Sequence, residues 1–403
     1  MDIHKMKTKE SIWDVIKYVN DLFDKAIKIN ASDIHIEPTE EYVIIRLRVD
    51  GSFLLSDKIN IEEYSSFCTR LKVMAKIKID ENKKPQDWKI AYNSEKNKEK
   101  IDIRLSTLPT NYWEKVVMRV LRQDTSLLAI EKLWFLTPNQ KRIIEALKSK
   151  YGIVLIAWPT WSGKSTSLFW ILNNFDPLEY NISTLEDPIE YNIPFVNQSQ
   201  IKPEIWYTFA SWLRSLVRQD PDIIMVWEIR DLETSKLSIE AALTWHLVLS
   251  TIHTNSAAST IQRLINMDIE PFLISSALKM VISQRLMKKI CPECIEKANL
   301  DDNVKNKIKK HLWEIIDESE IENLHFYKWK WCEKCNHTWY KWRTWAHEVL
   351  IMSEEIEHAI LAQETAQKIE HLAKLEWMTT IVQDALLKAA MWKTTVEEAL
   401  KLI

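Results

Sequence analysis

The pattern of apolar and polar positions predicts two different domains along the chain. In the first part, helical spacing predicts helices over residues 11–29 and 61–77. Strand patterns cover residues 43–49, 101–105 and 115–121, and the charged residues 80–100 are predicted to hold a hairpin. Asp50-Gly51 directly follows the first of these strands and indicates a tight hairpin turn. Residues 1–122 are therefore predicted to form a small α+β domain.

The second part has the pattern of a parallel sheet. Short runs that are apolar on both faces cover residues 153–157, 181–185, 223–226 and 246–252, with helical segments between them. We expect residues 123–136 to be a linker, residues 137–290 to be an α/β core and residues 291–345 to be a subdomain that binds metal. The pattern is rich in turns over residues 339–345, and residues 346–403 are expected to be helical.

Composition limits the class of protein. Hydrophobic residues make up 46% and charged residues 28% of the 403 positions, as in soluble globular proteins with a sizeable core. The net charge of −3 gives no basic field that would attract nucleic acid. The apolar runs are much shorter than the ~20 residues that span a bilayer, and the charged N-terminus lacks the apolar segment of a signal peptide. We therefore expect a cytoplasmic protein.

Residues 158–165 carry the strongest chemical motif. They differ from the phosphate-binding pattern G-x-x-x-x-G-K-[ST] at the first position alone. A strand before the motif and a helix from about Lys164 would direct backbone N–H groups at phosphates. Lys164 is expected to reach the β- and γ-phosphates of ATP, and Ser165 is expected to bind Mg²⁺. The predicted nucleotide-binding residues are Trp158, Pro159, Thr160, Trp161, Ser162, Gly163, Lys164, Ser165 and Thr166.

The misfit at Trp158 is repeated along the chain. The sequence has 19 tryptophans and 3 glycines, although average usage predicts roughly 28 glycines. Trp392 lies between a helical pattern and a new capping box, and Trp377 has a similar position. A left-handed residue, usually glycine, ends many helices at such positions. We hypothesise that the tryptophans are glycines in the natural protein, because some bacteria read the UGA codon as glycine. The alternative is a protein that is rich in tryptophan.

Two acidic segments follow predicted strands of the core. Glu186-Asp187-Pro188 follows one strand, and Glu228 follows the four apolar residues 223–226 as a Walker-B acid does. Beside one Mg-nucleotide, one acid coordinates the metal, here Glu228, and the other orients water. His246 and His253 lie at opposite ends of a third strand, and His253 shares the edge with Glu228, where it could contact the γ-phosphate. The alternatives are a salt bridge at a strand end for each acid and a structural role for each histidine.

Four of the five cysteines form two Cys-x-x-Cys pairs, Cys291 with Cys294 and Cys332 with Cys335. Two such pairs supply four thiolates for tetrahedral Zn²⁺, and a site with four protein ligands is structural. A helix is predicted between the pairs, over residues 303–316. The alternative is a set of buried thiols without metal. The fifth cysteine, Cys68, is expected to be a small buried apolar residue.

Four segments, in order, resemble the bacterial type II secretion and type IV pilus assembly ATPases. They are the phosphate loop, Ser-Thr-Leu-Glu-Asp-Pro-Ile-Glu-Tyr, Arg-Gln-Asp-Pro-Asp-Ile-Ile-Met-Val-Trp-Glu-Ile-Arg-Asp and Thr-Trp-His-Leu-Val-Leu-Ser-Thr-Ile-His-Thr-Asn. The resemblance runs from about Ser11 to Ile403 and includes Ala-Ser-Asp-Ile-His-Ile-Glu-Pro in the first domain. In that family, glycine stands at the tryptophan positions of these motifs.

The resemblance implies a RecA-like P-loop NTPase with a PAS-like first domain. Such proteins are hexameric ATPases on the cytoplasmic face of the inner membrane, where they act on a membrane platform protein. In this chain, Glu186 matches the glutamate that orients water, Glu228 matches the Walker-B acid and His253 matches a histidine that contacts phosphate. Arg104 and Arg119 match arginines that reach the phosphates from the first domain, although by themselves they read as surface arginines. The four cysteines favour assembly over retraction, and the family's separate N-terminal docking domain is expected to be missing or reduced.

Two other functions are compatible with the sequence. If the natural protein does contain tryptophan at these positions, the indoles of Trp158 and Trp161 would block the approach of the backbone to phosphate. This case favours a nucleotide-regulated scaffold without turnover. A DNA-translocating motor of the same P-loop group is the third hypothesis, and the near-neutral charge argues against it. The bound groups expected are ATP, Mg²⁺ and Zn²⁺. The expected partners are identical subunits in a homohexamer and the platform protein, with peripheral membrane association and no direct contact to nucleic acid.

Overall fold

The computed structural model describes residues 14–94, 96–122, 135–157, 164–190, 192–202, 207–330, 332, 335 and 339–403, and for Arg122, Lys164 and Ser165 it describes the backbone alone. The chain divides into two compact units, Met1–Asp124 and Thr125–Ile403. We call them the first unit and the second unit.

Among its described residues, the first unit is a six-stranded antiparallel sheet with two helices. The strands are β1 (Asp33–Pro38), β2 (Tyr42–Val49), β3 (Ser52–Asn60), β4 (Gln86–Ser94), β5 (Glu99–Pro109) and β6 (Glu114–Arg122), in the order β3-β2-β1-β6-β5-β4. The helices are α1 (Val15–Lys28) and α2 (Ile61–Ala75). The α+β pattern is confirmed. The hairpin predicted within residues 80–100 extends beyond that segment, because β4 pairs with β5, which contains the strand predicted over residues 101–105.

Local sequence explains the turns and the core of this unit. Asp50 and Gly51 have φ values of 47° and 82°, which is the left-handed pair that a tight turn between β2 and β3 requires. Alternate residues of the strands pack against the apolar faces of the two helices, with Phe23, Ile34 and Phe67 fully buried. Cys68 is buried in the same core, as predicted.

The second unit contains a seven-stranded sheet among its described residues. The strands are β7 (Gly152–Ala157), β8 (Ile182–Glu186), β9 (Asn197–Gln200), β10 (Ile223–Val226), β11 (Leu247–Ile252), β12 (Leu278–Ile290) and, at the opposite edge from β9, β15 (Tyr340–Ile351). Their order is β15-β12-β7-β11-β10-β8-β9. A separate two-stranded ribbon joins β13 (Ile295–Lys297) to β14 (Tyr327–Trp329).

The predicted parallel strands are confirmed by the pairing of β7, β8, β10 and β11. Every residue of these four strands is buried. Along β7, Ile153 and Leu155 pack into one apolar cluster, and Val154 and Ile156 pack into another. Both faces of the sheet are therefore covered, which is why these runs carry apolar residues on both faces.

Helices cover the sheet of the second unit and follow its last strand. They are α3 (Thr137–Ala146), α4 (Lys164–Leu172), α5 (Phe209–Leu216), α6 (Leu232–Leu243), α7 (Ala257–Ile265), α8 (Pro271–Ala277), α9 (Asp302–Leu312), α10 (Glu318–Asn323), α11 (Glu354–Leu361), α12 (Ala366–Leu375), α13 (Ile381–Ala390) and α14 (Val396–Leu400). The helix predicted between the cysteine pairs corresponds to α9. Within the described part of the chain, no helix is long and apolar enough to cross a membrane.

The expectation for residues 339–351 is wrong. A turn-rich segment followed by helices was expected there, but residues 340–351 form strand β15, which pairs antiparallel with β12. Strand β12 itself was not predicted, and it pairs in parallel with β7. Trp339 and Trp342 do have the left-handed backbone of turn residues, with φ values of 67° and 70°. The long partner strand β12 therefore decides the structure of this segment, although its local pattern favours turns.

Candidate nucleotide site and cysteine cluster

The predicted catalytic residues of the second unit meet at one edge of its sheet. Glu186 is the last residue of β8, Glu228 lies two residues after β10 and His253 directly follows β11. These three strands are neighbours, and they run in parallel. The edge at their carboxyl ends is where open α/β sheets bind ligands. Strand β7 ends at the same edge and leads into the predicted phosphate loop.

The phosphate loop itself, Trp158–Gly163, lies outside the described residues. Helix α4 begins at Lys164, as predicted. A polar contact joins this helix to the sheet: Ser167 Oγ donates a hydrogen bond of 2.6 Å to Gln284 Oε1 on β12, and both side chains are buried. The phosphate and Mg²⁺ contacts of Lys164, Ser165 and Thr166 stay predictions.

Glu228 is buried between two basic side chains. Its Oε1 lies 2.8 Å from His253 Nε2, and its Oε2 accepts a hydrogen bond of 3.0 Å from Arg230 Nη2. The hydrogen bond to Glu228 raises the pKa of Arg230. The structure therefore joins the two predicted residues Glu228 and His253. Arg230 received no role from the sequence, although it stands two residues after Glu228 in the same motif.

Glu186 is also fully buried, but its partners are uncharged. Its Oε1 accepts hydrogen bonds from Thr184 Oγ1 at 2.6 Å and from Gln198 Nε2 at 2.8 Å. Its Oε2 has no hydrogen-bond partner among the described residues. Burial raises the pKa of the Glu186 carboxyl, and the hydrogen bonds from Thr184 and Gln198 oppose that rise. Neither Thr184 nor Gln198 was identified from the sequence.

His246 has structural contacts at the opposite end of β11. Its Nδ1 lies 2.9 Å from the carbonyl oxygen of Ala241 and 3.3 Å from Thr244 Oγ1. Both partners belong to the end of helix α6 and the turn after it. The structural alternative therefore holds for His246, whereas His253 lies with the acids.

Arg104 and Arg119 lie opposite each other on β5 and β6 of the first unit. Directly opposed residues of an antiparallel pair share a face, and like charges in that arrangement repel. The buried Asp33 compensates part of this charge, because its Oδ1 lies 3.2 Å from Arg119 Nε. Contact of the two arginines with nucleotide phosphates stays a prediction.

The four predicted zinc ligands come together in the second unit. The Sγ atoms of Cys291, Cys294, Cys332 and Cys335 all lie within 4.8 Å of one another. The ribbon of β13 and β14 lies next to the cluster in the chain, because β13 directly follows Cys294. The backbone N–H of Lys330, which directly follows β14, donates a hydrogen bond of 2.7 Å to the carbonyl oxygen of Cys294. Burial raises the pKa of the thiols of Cys291 and Cys294. Zn²⁺ binds cysteine as the thiolate, and four convergent cysteine sulfurs fit its tetrahedral ligand set.

Among the described residues, five tryptophans have a left-handed backbone. They are Trp245, Trp339, Trp342, Trp377 and Trp392, with φ between 52° and 73°. The left-handed conformation destabilises a residue with a Cβ by roughly 1–2 kcal/mol. The five tryptophans together would therefore lower the stability of the fold by roughly 5–10 kcal/mol, which is comparable to the ~5–15 kcal/mol stability of a typical domain. Trp245 and Trp377 are also 74% and 81% exposed. Trp170 and Trp227 differ, because both are buried in the core.

Comparison with known proteins identifies a family. The family described as "Type II/IV secretion system protein" matches residues 8–401. The chain is 42% identical over 384 residues to the type IV pilus assembly ATPase PilB of Thermus thermophilus, an alignment that covers 95% of this chain and 42% of that protein. It is 39% identical over 387 residues to the type II secretion system ATPase E of Vibrio cholerae, covering 96% of this chain and 75% of that protein. The chain thus spans less than half of the first relative and three quarters of the second.

Solved structures share the fold. The pilus retraction motor PilT with bound ADP aligns with a TM-score of 0.64 at 24% identity, over 96% of each chain. The Legionella pneumophila ATPase DotB aligns with a TM-score of 0.70 at 20% identity, over 98% of each chain. The predicted fold class, an α/β P-loop domain with a smaller α+β domain and a four-cysteine cluster, is confirmed.

Proposed function

The chain belongs to the family of type II/IV secretion system ATPases, and we propose that it hydrolyses ATP to power assembly of a type IV pilus or extension of a type II secretion pseudopilus. The observation that carries the proposal is the meeting of Glu186, Glu228 and His253 at the sheet edge from which helix α4 begins. Relatives named for pilus assembly and for type II secretion match with similar identity, so both machines remain within the proposal.

In the proposed reaction, each group at the edge has a separate task. The loop Trp158–Gly163 and Lys164 bind the phosphates of ATP, and His253 contacts the γ-phosphate. Glu186 orients the attacking water. Ser165 and Glu228 would hold Mg²⁺, which neutralises the charge that develops on the phosphate oxygens. The position of Glu228 supports this role, because its buried carboxyl lies at this edge in contact with His253 and Arg230.

We propose a homohexamer on the cytoplasmic face of the inner membrane, peripherally associated with a platform protein. Arg104 and Arg119 would act on the nucleotide phosphates from the first unit. Their opposed positions support this role, since two adjacent positive charges form a favourable surface for an anion. The contact of the two arginines with the phosphates would form when ATP binds and break after hydrolysis. This cycle would convert the chemical step into movement of the platform protein.

We also propose Zn²⁺ at Cys291, Cys294, Cys332 and Cys335. All four ligand positions of a tetrahedral ion are filled by protein, so the site would stabilise the fold and take no part in hydrolysis.

The proposal requires glycine at the tryptophan positions of the phosphate loop. Left-handed φ at five other tryptophans supports the hypothesis that these residues are glycine in the natural protein. We therefore define the glycine-restored chain as this sequence expressed with glycine codons at the tryptophan positions. If the tryptophans are literal, Trp158 and Trp161 favour the second candidate function, a nucleotide-regulated scaffold without turnover.

Assays of ATP hydrolysis and DNA binding on the glycine-restored chain test the proposal. An ATPase should show Mg²⁺-dependent release of phosphate and no affinity for DNA. A chain that binds ATP without turnover would support the scaffold, and turnover that DNA stimulates would support a DNA-translocating motor.

A further inference from the structure

We propose that Thr184 and Gln198 are positioning residues that hold Oε1 of Glu186 and leave Oε2 to accept a hydrogen bond and then a proton from the attacking water. The inference rests on the proposed ATP hydrolysis and concerns how the water-orienting glutamate is made ready for it. Three observations carry it: two donors converge on one oxygen, the other oxygen has no described partner, and the amide donor is itself fixed.

The two donors reach Glu186 from different directions. Thr184 precedes Glu186 by two residues on β8, so both side chains lie on the same face of that strand. Gln198 lies on β9, directly opposite Thr184 in the parallel register. The hydroxyl and the amide thus donate to the same atom, Glu186 Oε1, at 2.6 and 2.8 Å. The carboxylate plane is held by contacts on two strands.

A second contact fixes which end of the Gln198 amide faces Glu186. The backbone N–H of Ile193 donates a hydrogen bond of 2.7 Å to Gln198 Oε1. An amide oxygen accepts and an amide nitrogen donates, so this contact directs the NH₂ group of Gln198 at Glu186. Rotating the amide by half a turn would break both hydrogen bonds. Gln198 is therefore preorganised as a donor.

Glu186 Oε2 is left as a buried acceptor without a partner among the described residues. Such atoms are rare in folded proteins, because an unmet hydrogen bond is unfavourable. In the hydrolysis step, the water oxygen bonds to the γ-phosphorus, and one water proton passes to Oε2. The bond from the γ-phosphorus to the β–γ bridging oxygen breaks, and its electron pair leaves with ADP. The second water proton stays on the phosphate.

The surroundings of Glu186 determine how pH should act on this step. Burial raises the pKa of the carboxyl. The hydrogen bonds from Thr184 and Gln198 and the nearby backbone N–H of Glu190 lower it, and the charge of Glu190 raises it. Among the described side chains, the other charged groups at this edge are Asp187, next in the chain, and the group of Glu228, Arg230 and His253 at the ends of β10 and β11. Only the ionised carboxylate accepts a proton, so activity should fall as pH falls through this pKa. Removal of a donor should raise the pKa and move that fall to higher pH.

The test compares kcat and KM for ATP against pH in the full glycine-restored chain. The variants are Thr184→Val, Gln198→Leu and Gln198→Glu, each close to the parent residue in size. Gln200→Leu, the same substitution at an exposed position of β9, is the matched control. Loss of a hydrogen bond to a charged group should lower kcat at neutral pH by roughly tenfold or more. KM for ATP should stay within about twofold, because the phosphate contacts are intact.

The size of the shift in each variant distinguishes a positioning role of Gln198 from a role in packing alone. Gln198→Glu places a second carboxylate against Oε1, and two adjacent carboxylates raise one pKa strongly. It should therefore shift the acid limb of kcat further than Gln198→Leu does, although it is the closer match in shape. If Gln198 only fills space, Gln198→Leu should lower kcat more than Gln198→Glu does. That loss should be the same at every pH, and the acid limb should not move. Gln200→Leu should resemble the parent.

An unshifted acid limb in both Thr184→Val and Gln198→Leu would overturn the proposal, and so would an equal shift in Gln200→Leu. If Gln198→Leu does not fold, Thr184→Val decides the test alone, because it replaces only a hydroxyl with a methyl group. Failure of the proposed function would look different: the parent would not hydrolyse ATP, or Glu186→Gln would be as active as the parent.

Discussion

The carboxyl edge of the second unit's sheet and the four-cysteine cluster are both sets of candidate ligands, but they are built differently. The cysteines are chemically alike, come from two short pairs and converge within 4.8 Å. The edge collects unlike groups from three strands, and Glu186 Oε2 has no partner among the described residues. A ligand set that closes on itself stabilises a fold, whereas one with an open position can do chemistry. Changes at the edge should therefore affect turnover, and changes at the cysteines should affect stability.

The largest effect is expected from the residues at positions 158 and 161. Peptide sequencing of protein from the source cell should find glycine at Trp158, Trp161, Trp227 and Trp245. A chain with glycine at these positions should bind and hydrolyse Mg-ATP, and the tryptophan chain should not hydrolyse it, because indoles would block the approach of the backbone to the phosphates. Tryptophan in the native protein would end the hypothesis and favour the scaffold.

The second effect separates hydrolysis from binding at the edge. Glu186→Gln should still bind Mg-ATP but lose about 10²–10⁴-fold in kcat, since water orientation and proton acceptance are removed. Lys164→Ala should instead weaken nucleotide binding, because its charge meets the phosphates before the reaction. Equilibrium binding and single-turnover kinetics measure the two effects. Glu179→Gln, at an exposed acid, is the control. Full hydrolysis by Glu186→Gln would contradict the assignment.

The third effect concerns the two arginines of the first unit. Arg104→Ala and Arg119→Ala should each lower kcat by roughly 10–100-fold, less than the 10³–10⁵ known for a single arginine, because two residues share the task. Nucleotide binding should change little. Lys89→Ala, next to Arg104 on β4, is the control. Mixing Glu186→Gln subunits with Arg119→Ala subunits would show whether the arginine acts on its own chain. Parent rates in both arginine variants would refute the proposed role of the first unit.

The smallest effect on turnover is expected from the cysteines. The glycine-restored chain should carry about one Zn²⁺ per chain. Cys332→Ser should lower the free energy of unfolding by about 4 kcal/mol or more, since a structural metal contributes directly to folding. Below its melting temperature, kcat should stay within about twofold of the parent. Metal analysis and thermal unfolding measure this, with Cys68→Ala as a variant that keeps the metal. A metal-free preparation of full stability would count against the site.

The sequence predicted the residues that meet at the edge but missed the contacts that position them. Glu186, Glu228 and His253 each lie at or just after the end of a short predicted strand, and parallel strands bring their ends together, so local pattern was enough. Gln198 was missed because β9 is short and mostly polar, and nothing near it in the chain points to Glu186. Arg230 could have been found, because it follows Glu228 by two residues in a quoted motif.

The sequence by itself determined the features that are written in short stretches of chain: the buried parallel strands, the phosphate motif, the cysteine pairs and the glycine-like positions of tryptophan. Each depends on spacing within a few residues, where periodicity and backbone preference act. Tertiary structure decided the rest. Pairing with β7 and β15 made β12 a strand, and pairing with β12 made residues 340–351 a strand in place of turns and helix. The register of β8 on β9 set Gln198 against Glu186, because contacts between distant segments arise from packing and leave no pattern in either segment alone.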